Sequence, residues 1–302
     1  MVFLTQLQKN PKQSRNNSSM KLKCSIGIIV YNEEANIGKL LKALLSQELH
    51  DVKIKEIIVV SSACTDGSDD IIRKYCNKHK KIKLITEPER RGKSAAINKF
   101  IAASQTDLLI IESGDTIPAK DVVEKLIVPF QEPKIGMTGG RPKPENEPNS
   151  FIGYCINLLW NLHHEMAMIS PKLGEMIAFK KIFEKIPNDS AVDEASIEAV
   201  IRDKGLKLKY IPDAIIHNKG PENLKDFIIQ RRRIEAGHLW IKQMQNYSVS
   251  SQNSDLLLKL ALDEIKRKPE KIFFLISTAF IEILSRFLGW FDLKIKKKNP
   301  FK

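Results

Sequence analysis

Apolar and polar positions alternate along this chain in two distinct rhythms. Short apolar runs rich in Ile and Val occur at Lys23–Val30, Ile54–Val60, Ile82–Ile85 and Leu108–Ile111, and each stops at a polar turn. Runs of that length suit strands buried on both faces of a parallel sheet. Between them the apolar residues fall at helical spacing. Asn36–Leu45 puts Ile37, Leu40, Leu41, Leu44 and Leu45 on one face, Asp69–Cys76 does the same with Ile71, Ile72 and Tyr75, and Ala95–Ala103 follows. Strand and helix alternate as far as Asp115, which predicts an α/β fold with a doubly wound, mostly parallel sheet flanked by helices.

The second half is more mixed. Helices are expected at Lys120–Phe130, Phe151–Ile169 and Ala195–Lys204, the last capped by Gly205, and a basic helix at Leu224–Met244. Strands are expected at Ile135–Thr138, Glu175–Phe179, Leu206–Ile211 and Ala214–His217, the last two parted by a Pro212-Asp213 turn. The Pro-rich stretch Pro142–Ser150 reads as a mobile loop. Three regions result: a polar, disordered tail over 1–20, an α/β domain over 21–244, and a linker with a C-terminal helical extension over 245–302. Met1–Ser19 lacks the apolar core of a secretory signal, and Met20 is a candidate start.

Ile272–Phe291 is apolar and long enough to span a bilayer. Yet Thr278, Glu282, Ser285, Arg286 and Gly289 form one polar stripe at helical spacing, and Lys294 and Lys296–Lys298 follow. The first expectation is a helix lying in a membrane interface. A helix packed on the protein body and a spanning helix are the alternatives. Glu282 and Arg286, four apart, are placed to pair.

Composition narrows the partners. The 302 residues carry a net charge of +13, which favours nucleotide phosphates or acidic lipid headgroups. Without zinc-type spacing or an RNA-binding aromatic pattern, nucleic acid is not expected. Cys24, Cys64, Cys76 and Cys155 are widely spaced and read as free thiols in a reducing cytoplasm. No GxGxxG follows the first strand, and Gly92-Lys93-Ser94 lacks the upstream glycine of a P-loop.

Candidate chemistry sits at the carboxyl ends of the strands, where ligands of open α/β sheets bind. Tyr31-Asn32-Glu33, Ser61–Asp66, Arg90–Lys93 and Ser113-Gly114-Asp115 would line one crevice, with Asp193-Glu194 opening a later helix and His217 ending a strand. Asp115 beside a glycine suits a divalent cation carrying phosphate oxygens. Plain readings stand beside these. Asp115 and Asp66 can be turn residues, Asp193 a helix cap, and Lys93 with Arg90 and Arg91 a solvated basic turn. His217 can be a hydrogen-bonded strand end, and Gln230 with Arg233 a basic helix face. Trp160, Trp240 and Trp290 read as core or interface anchors rather than sugar platforms.

From about Leu22 to Gly237 the chain resembles a family 2 glycosyltransferase of the GT-A fold. The segments that carry the likeness are SIGIIVYNEEANI, IIVVSSACTDGSDDII, RRGKSAAIN, SGDT, VDEAS and QRRRIEAGH. The resemblance implies that Tyr31, Asn32, Glu33, Asp66, Lys93, Ser113, Gly114, Gln230 and Arg233 bind a UDP- or GDP-sugar. It implies Mg2+ or Mn2+ on Asp115, with His217 a second ligand, and Asp193 as general base with Glu194 the alternate. Three departures stand out: Ser61 and Ser62 replace two usual acids, Ser113 replaces the first Asp of DxD, and Ile234 replaces the Trp of QxxRW. The multiple transmembrane helices of processive synthases are missing, which implies transfer of a single sugar. The expectation is an inverting transferase, cytoplasmic and peripheral on the inner face of the cell membrane, acting on a polyprenyl-phosphate-linked or other glycan acceptor. The rival expectations are a degenerate nucleotide- or lipid-binding domain and a sugar-phosphate nucleotidyltransferase.

Overall fold

The computed structural model describes residues 21–188, 192–247 and 254–295. The expected tail over 1–20, part of the linker and the Lys296–Lys298 run lie outside the described residues.

The four apolar runs form the strands β1 (Leu22–Val30), β2 (Val52–Ser62), β3 (Ile82–Glu87) and β4 (Leu108–Ser113), which pair in parallel in the order β3-β2-β1-β4. The helices α1 (Ile37–Leu45), α2 (Ser68–Lys78) and α3 (Lys93–Ala103) make the crossovers. Beyond β4 the sheet continues through β7 (Ile177–Lys180), β6 (Ile135–Pro144), β8 (Lys207–Asn218) and the two-residue β5 (Ile117–Pro118). β7 runs antiparallel to both β4 and β6, while β6 and β8 are parallel. Alternation along the central strands divides the core. Ile57 and Val59 face one layer with Leu40 and Val123, and Ile58 and Val60 face the other with Phe100 and Ile197. The remaining helices are α4 (Val122–Ile127), α5 (Phe151–Ile169), α6 (Asp193–Asp203), α7 (Leu224–Met244), α8 (Ser254–Arg267) and α9 (Ile272–Lys294).

Two expected breaks are absent. The Pro212-Asp213 turn is instead inside β8, where pairing with β6 passes from Tyr210 to Ile215 across a register shift. Proline donates no hydrogen bond, so the strand bulges around it rather than ending. The start of the Pro142–Ser150 loop is also strand: β6 runs to Pro144 and pairs Pro142 with Ile216 of β8. Its pairing with β7 stops at Gly139, so the missing proline N–H groups fall where one edge of the strand is free.

The C-terminal helix packs on the protein body through its polar stripe. Thr278 and Ser285 are buried, and Glu282 takes a bidentate pair from Arg231 of α7 at 2.6 and 2.7 Å. Arg286 bonds the same carboxylate at 2.9 Å, and Arg232 pairs with Asp292. Burial opposes the charge on Glu282, but the two guanidiniums win and hold its carboxyl down at about 2. The opposite face of α9 is left bare, with Phe273, Phe280 and Ile283 each about two-thirds exposed or more (73%, 67% and 67%). Among the described residues, Pro269–Lys294 is the one helical stretch long and apolar enough to cross a membrane. A Cβ at Gly289 would lie 2.6 Å from the Arg232 carbonyl oxygen, so only glycine lets α9 approach α7 this closely. Gly289→Leu is expected to cost about 2 kcal/mol through overpacking, read as a lower urea midpoint. An unchanged midpoint would show that α9 does not depend on that approach.

Candidate active site

The crevice at the carboxyl end of the sheet is tied together by its own turns. Asn32, in the left-handed region at φ 55°, accepts from the Thr65 N–H at 2.8 Å. Asp66 accepts from the N–H groups of Glu34 and Ser68, both at 3.0 Å, and the Glu33 N–H donates to the Ser68 hydroxyl at 2.8 Å. Despite slight burial, these donors hold the Asp66 carboxyl below its usual range. Asp66 is therefore a turn residue that fixes the β1 turn against the β2 turn. Tyr31 lies under the Arg90 guanidinium at 3.8 Å from the ring centroid, a stacked geometry that gives the ring a cationic lid.

The turn after β4 is held equally firmly. The Gly114 N–H donates to the Ile29 carbonyl at 3.1 Å, and its own carbonyl accepts from Asn36 at 2.7 Å. A Cβ at Gly114 would sit 2.9 Å from Glu33 Cγ, so the glycine permits this close crossing. The Ser113 carbonyl accepts from the Thr116 hydroxyl at 2.9 Å. Asp115 comes next and is exposed. Burial, then the charges of Asp115 and Asp66, push the Glu33 carboxyl up to about 7. Glu112 is fully buried against Thr116, and burial drives its carboxyl well up.

Asp115 also lines a cavity of about 650 Å³ on the β7–β8 side, together with Glu175, Glu194, Asn218 and Gln230. Burial and then Asp115 raise the Glu175 carboxyl to about 7. Lys93, in the first turn of α3, is the cation among these acids. Its ammonium is 3.0 Å from Glu194 and 3.5 Å from Asp193, and the pair keeps it charged against the cost of burial. The two neighbouring acids of α6 divide the work. Asp193 turns inward, its side chain 4% exposed, and accepts from the Ser94 hydroxyl at 2.6 Å. Glu194 turns to the cavity with its side chain 21% exposed. Burial raises Asp193, whereas Lys93 outweighs burial at Glu194 and holds that carboxyl low and ionised.

The structure thus brings Asp115, Lys93, Glu194 and Gln230 to one region and sets the other expected residues apart. Asp193 lies behind the cavity wall. Arg233 is exposed on α7 and does not line the cavity; its neighbour Arg231 does. His217 stands opposite Ile117 with Nδ1 3.6 Å from Glu145, and the next residue, Asn218, reaches the cavity in its place. Glu175, Lys172 and Arg231 are cavity residues that sequence motifs did not single out. Glu175 stood at the start of the expected strand Glu175–Phe179 and Arg231 inside the QRRRIEAGH segment, and neither was given a role there.

The donor chemistry fits a hard divalent cation. Carboxylate oxygen is the ligand such ions prefer, and Mg2+ is commonly held by one or two carboxylates plus substrate phosphates. Among the described residues no three His, Cys, Asp or Glu side chains converge as a metal cage. Burial chiefly, with the Asp115 charge second, raises the Glu33 and Glu175 carboxyls.

Glu198, buried at the wall of the same cavity, adds to the pH dependence. Glu198 accepts from the Leu173 N–H at 2.7 Å and the Tyr247 hydroxyl at 2.8 Å, with Lys172 and Arg202 near. Burial outweighs these groups and raises its carboxyl to about 7. A carboxyl raised on folding contributes stability below its unfolded value and loses it as pH rises through the folded one. The Tm is expected to fall between pH 5 and 8, and Glu198→Gln to flatten that fall. An equal slope in both proteins would remove Glu198 as the cause.

The comparisons with known proteins agree with this architecture. The description Glycosyl transferase family 2 matches residues 25–192, more than half of the chain. The probable glycosyltransferase YdaM of Bacillus subtilis is 28% identical over 251 residues, covering 78% of this chain and 59% of that one. Glycosyltransferase AglE of Haloferax volcanii is 31% identical over 116 residues, 38% of each chain. The chain spans about half the length of these curated relatives. Among solved structures, the mannosyltransferase PcManGT from Pyrobaculum calidifontis, in complex with GDP-Man and Mn2+, has a TM-score of 0.61 at 20% identity, over 95% of this chain and 85% of that one. Glucosyl-3-phosphoglycerate synthase from Mycobacterium tuberculosis, in complex with Mn2+, UDP and glucosyl-3-phosphoglycerate, has a TM-score of 0.52 at 17% identity, over 72% and 79%. These likenesses establish the GT-A fold, and with the matched segment they place the protein: the chain belongs to glycosyl transferase family 2.

Proposed function

We propose that this protein transfers a single sugar from a nucleotide-diphosphate sugar to an acceptor hydroxyl, with inversion at the anomeric carbon. The observation that carries this reading is the meeting of Asp115 and Glu194 on one cavity wall, with Lys93 bonded to Glu194. The nucleotide lies in the crevice formed by Tyr31, Asn32 and the turns that Asp66 and Gly114 fix. PcManGT bound to GDP-Man and Mn2+ in the same fold supports a sugar-nucleotide donor and a divalent cation. Mg2+ or Mn2+ on Asp115 would offset the charge that grows on the leaving diphosphate.

Glu194 acts as the general base. Its ionised carboxylate accepts the proton of the acceptor hydroxyl as that oxygen attacks the anomeric carbon. The bond from that carbon to the diphosphate oxygen breaks, its electron pair leaves with the nucleoside diphosphate, and a glycoside of inverted configuration remains. Lys93 keeps Glu194 ionised and oriented. Asp193, hydrogen-bonded to Ser94 and near Lys93, is a positioning residue that braces the pair. The apolar outer face of α9 supports a peripheral position on a membrane surface, and the net charge of +13 supports an anionic one.

The stereochemistry tests this directly. The protein is incubated with UDP- and GDP-sugars and Mn2+, and the sugar freed to water is followed by proton NMR before mutarotation. An inverted anomer as the first product is expected. A retained anomer would overturn the single-displacement reading and the role of Glu194.

A further inference from the structure

The cavity of about 650 Å³ beside Glu194 extends between α5, α8 and α9, where many of its lining residues are apolar. Its inner walls carry Leu162 and Met166 of α5, Ala261 of α8 and the buried Leu275 of α9. Two residues that line it, Leu258 of α8 and Ile283 of α9, are also 63% and 67% exposed. Residues that both line a cavity and face outward mark its mouth, so the cavity opens between α8 and α9. That mouth borders the bare apolar face of α9, where Phe273, Phe280 and Phe287 stand exposed with no covering element among the described residues. An apolar passage thus leads from an apolar outer surface to the acids at the catalytic end. At the wall of the same cavity, His163 has a buried Nδ1 without a hydrogen-bond partner. An orphaned polar atom beside the apolar part of the cavity is a place for a ligand's own polar group.

We propose that the acceptor is a hydroxyl-bearing membrane lipid that enters between α8 and α9, with its hydrocarbon chain in this cavity and its hydroxyl toward Glu194. The proposal rests on the transferase reading for the fate of that hydroxyl. The physical case for a chain is burial: apolar walls gain about 25 cal/mol per Å² when covered by hydrocarbon and nothing comparable from a hydrated sugar. The physical case for a membrane source is continuity. A lipid leaving the bilayer at the face of α9 meets the mouth without crossing water. Gly289, Arg231, Glu282 and Asp292 hold α9 in the position that forms the mouth.

The test is photolabelling of the full chain on phosphatidylcholine vesicles that contain a diacylglycerol with a diazirine in its acyl chain. Adducts are mapped by mass spectrometry. The expected labels fall on inward residues of all three helices, such as Leu162, Ala261 and Leu275. Unlabelled diacylglycerol should reduce them by at least about tenfold. Ala261→Trp, which narrows the cavity from α8, should remove the labels on α5 while labels on the outward Phe280 persist. The competition arm uses the wild-type protein, so a folding defect in the variant does not decide the matter. Labels confined to Phe273, Phe280 and Phe287, or inward labels that excess diacylglycerol does not reduce, would overturn the proposal. Release of nucleotide from sugar nucleotides is measured in parallel without lipid. Competed inward labels in a protein that releases no nucleotide would keep the lipid site and remove the transferase reading. Nucleotide release with outward labels only would do the reverse.

Discussion

Glu194→Gln is expected to lower kcat for donor turnover by about 10³-fold while donor KM changes by less than about twofold. The amide keeps the size of the side chain and its place on the cavity wall, but it cannot take a proton. General-base assistance is worth about 10²–10⁴-fold in comparable cases, and the loss should appear in kcat because the base acts only as the bond forms. Asp193→Asn is the matched control. Asp193 is shielded behind the wall and bonded to Ser94 and Lys93, so its loss should disturb stability and the Lys93 position more than the chemistry. The reverse pattern, with Asp193→Asn inactive and Glu194→Gln nearly normal, would return the base to Asp193. Steady-state nucleotide release against donor concentration separates the two.

Asp115→Ala is expected to abolish metal-dependent turnover, a loss of at least about 10³-fold. It should also remove a binding signature that does not depend on activity. With UDP or GDP and Mn2+ at about 100 times the dissociation constant, the wild type gains about 2.7 kcal/mol of stability, seen as a rise in Tm. Asp115→Ala should lose most of that rise, and chelator should produce the same loss in the wild type. The cause is local charge. Asp115 stands among Glu33, Glu175 and Glu112, and its charge adds to burial in raising all three carboxyls. A Tm rise that survives Asp115→Ala would mean the nucleotide is held without that carboxylate.

How much of this was readable in the sequence follows from how local each signal is. The strands from Lys23 to Ile111 were legible because each is a continuous apolar run ending in a turn. β7 was legible as a strand but not in its direction, since its antiparallel pairing with β4 is decided by residues far away in sequence. Pro212 looked like a break because a proline removes a donor, yet a bulge accommodates it. In the site, the turns that carry Asp115 and Lys93 were visible as motifs. Which of Asp193 and Glu194 faces the cavity was not, because adjacent residues at a helix start point about 100° apart and only tertiary packing shows it. Arg231 was hidden for the same reason. Its partner Glu282 lies 51 residues away. The polar stripe of α9 was visible, but the surface it would seek was not.

The most direct test is nucleotide release from a panel of UDP- and GDP-sugars with Mn2+, repeated with chelator and with Asp115→Ala. Release from one donor that both treatments abolish is the expected result, and it would name the donor as well. No release from any donor, together with no metal-dependent binding of UDP or GDP, would contradict the account and leave a family member that binds without turning over.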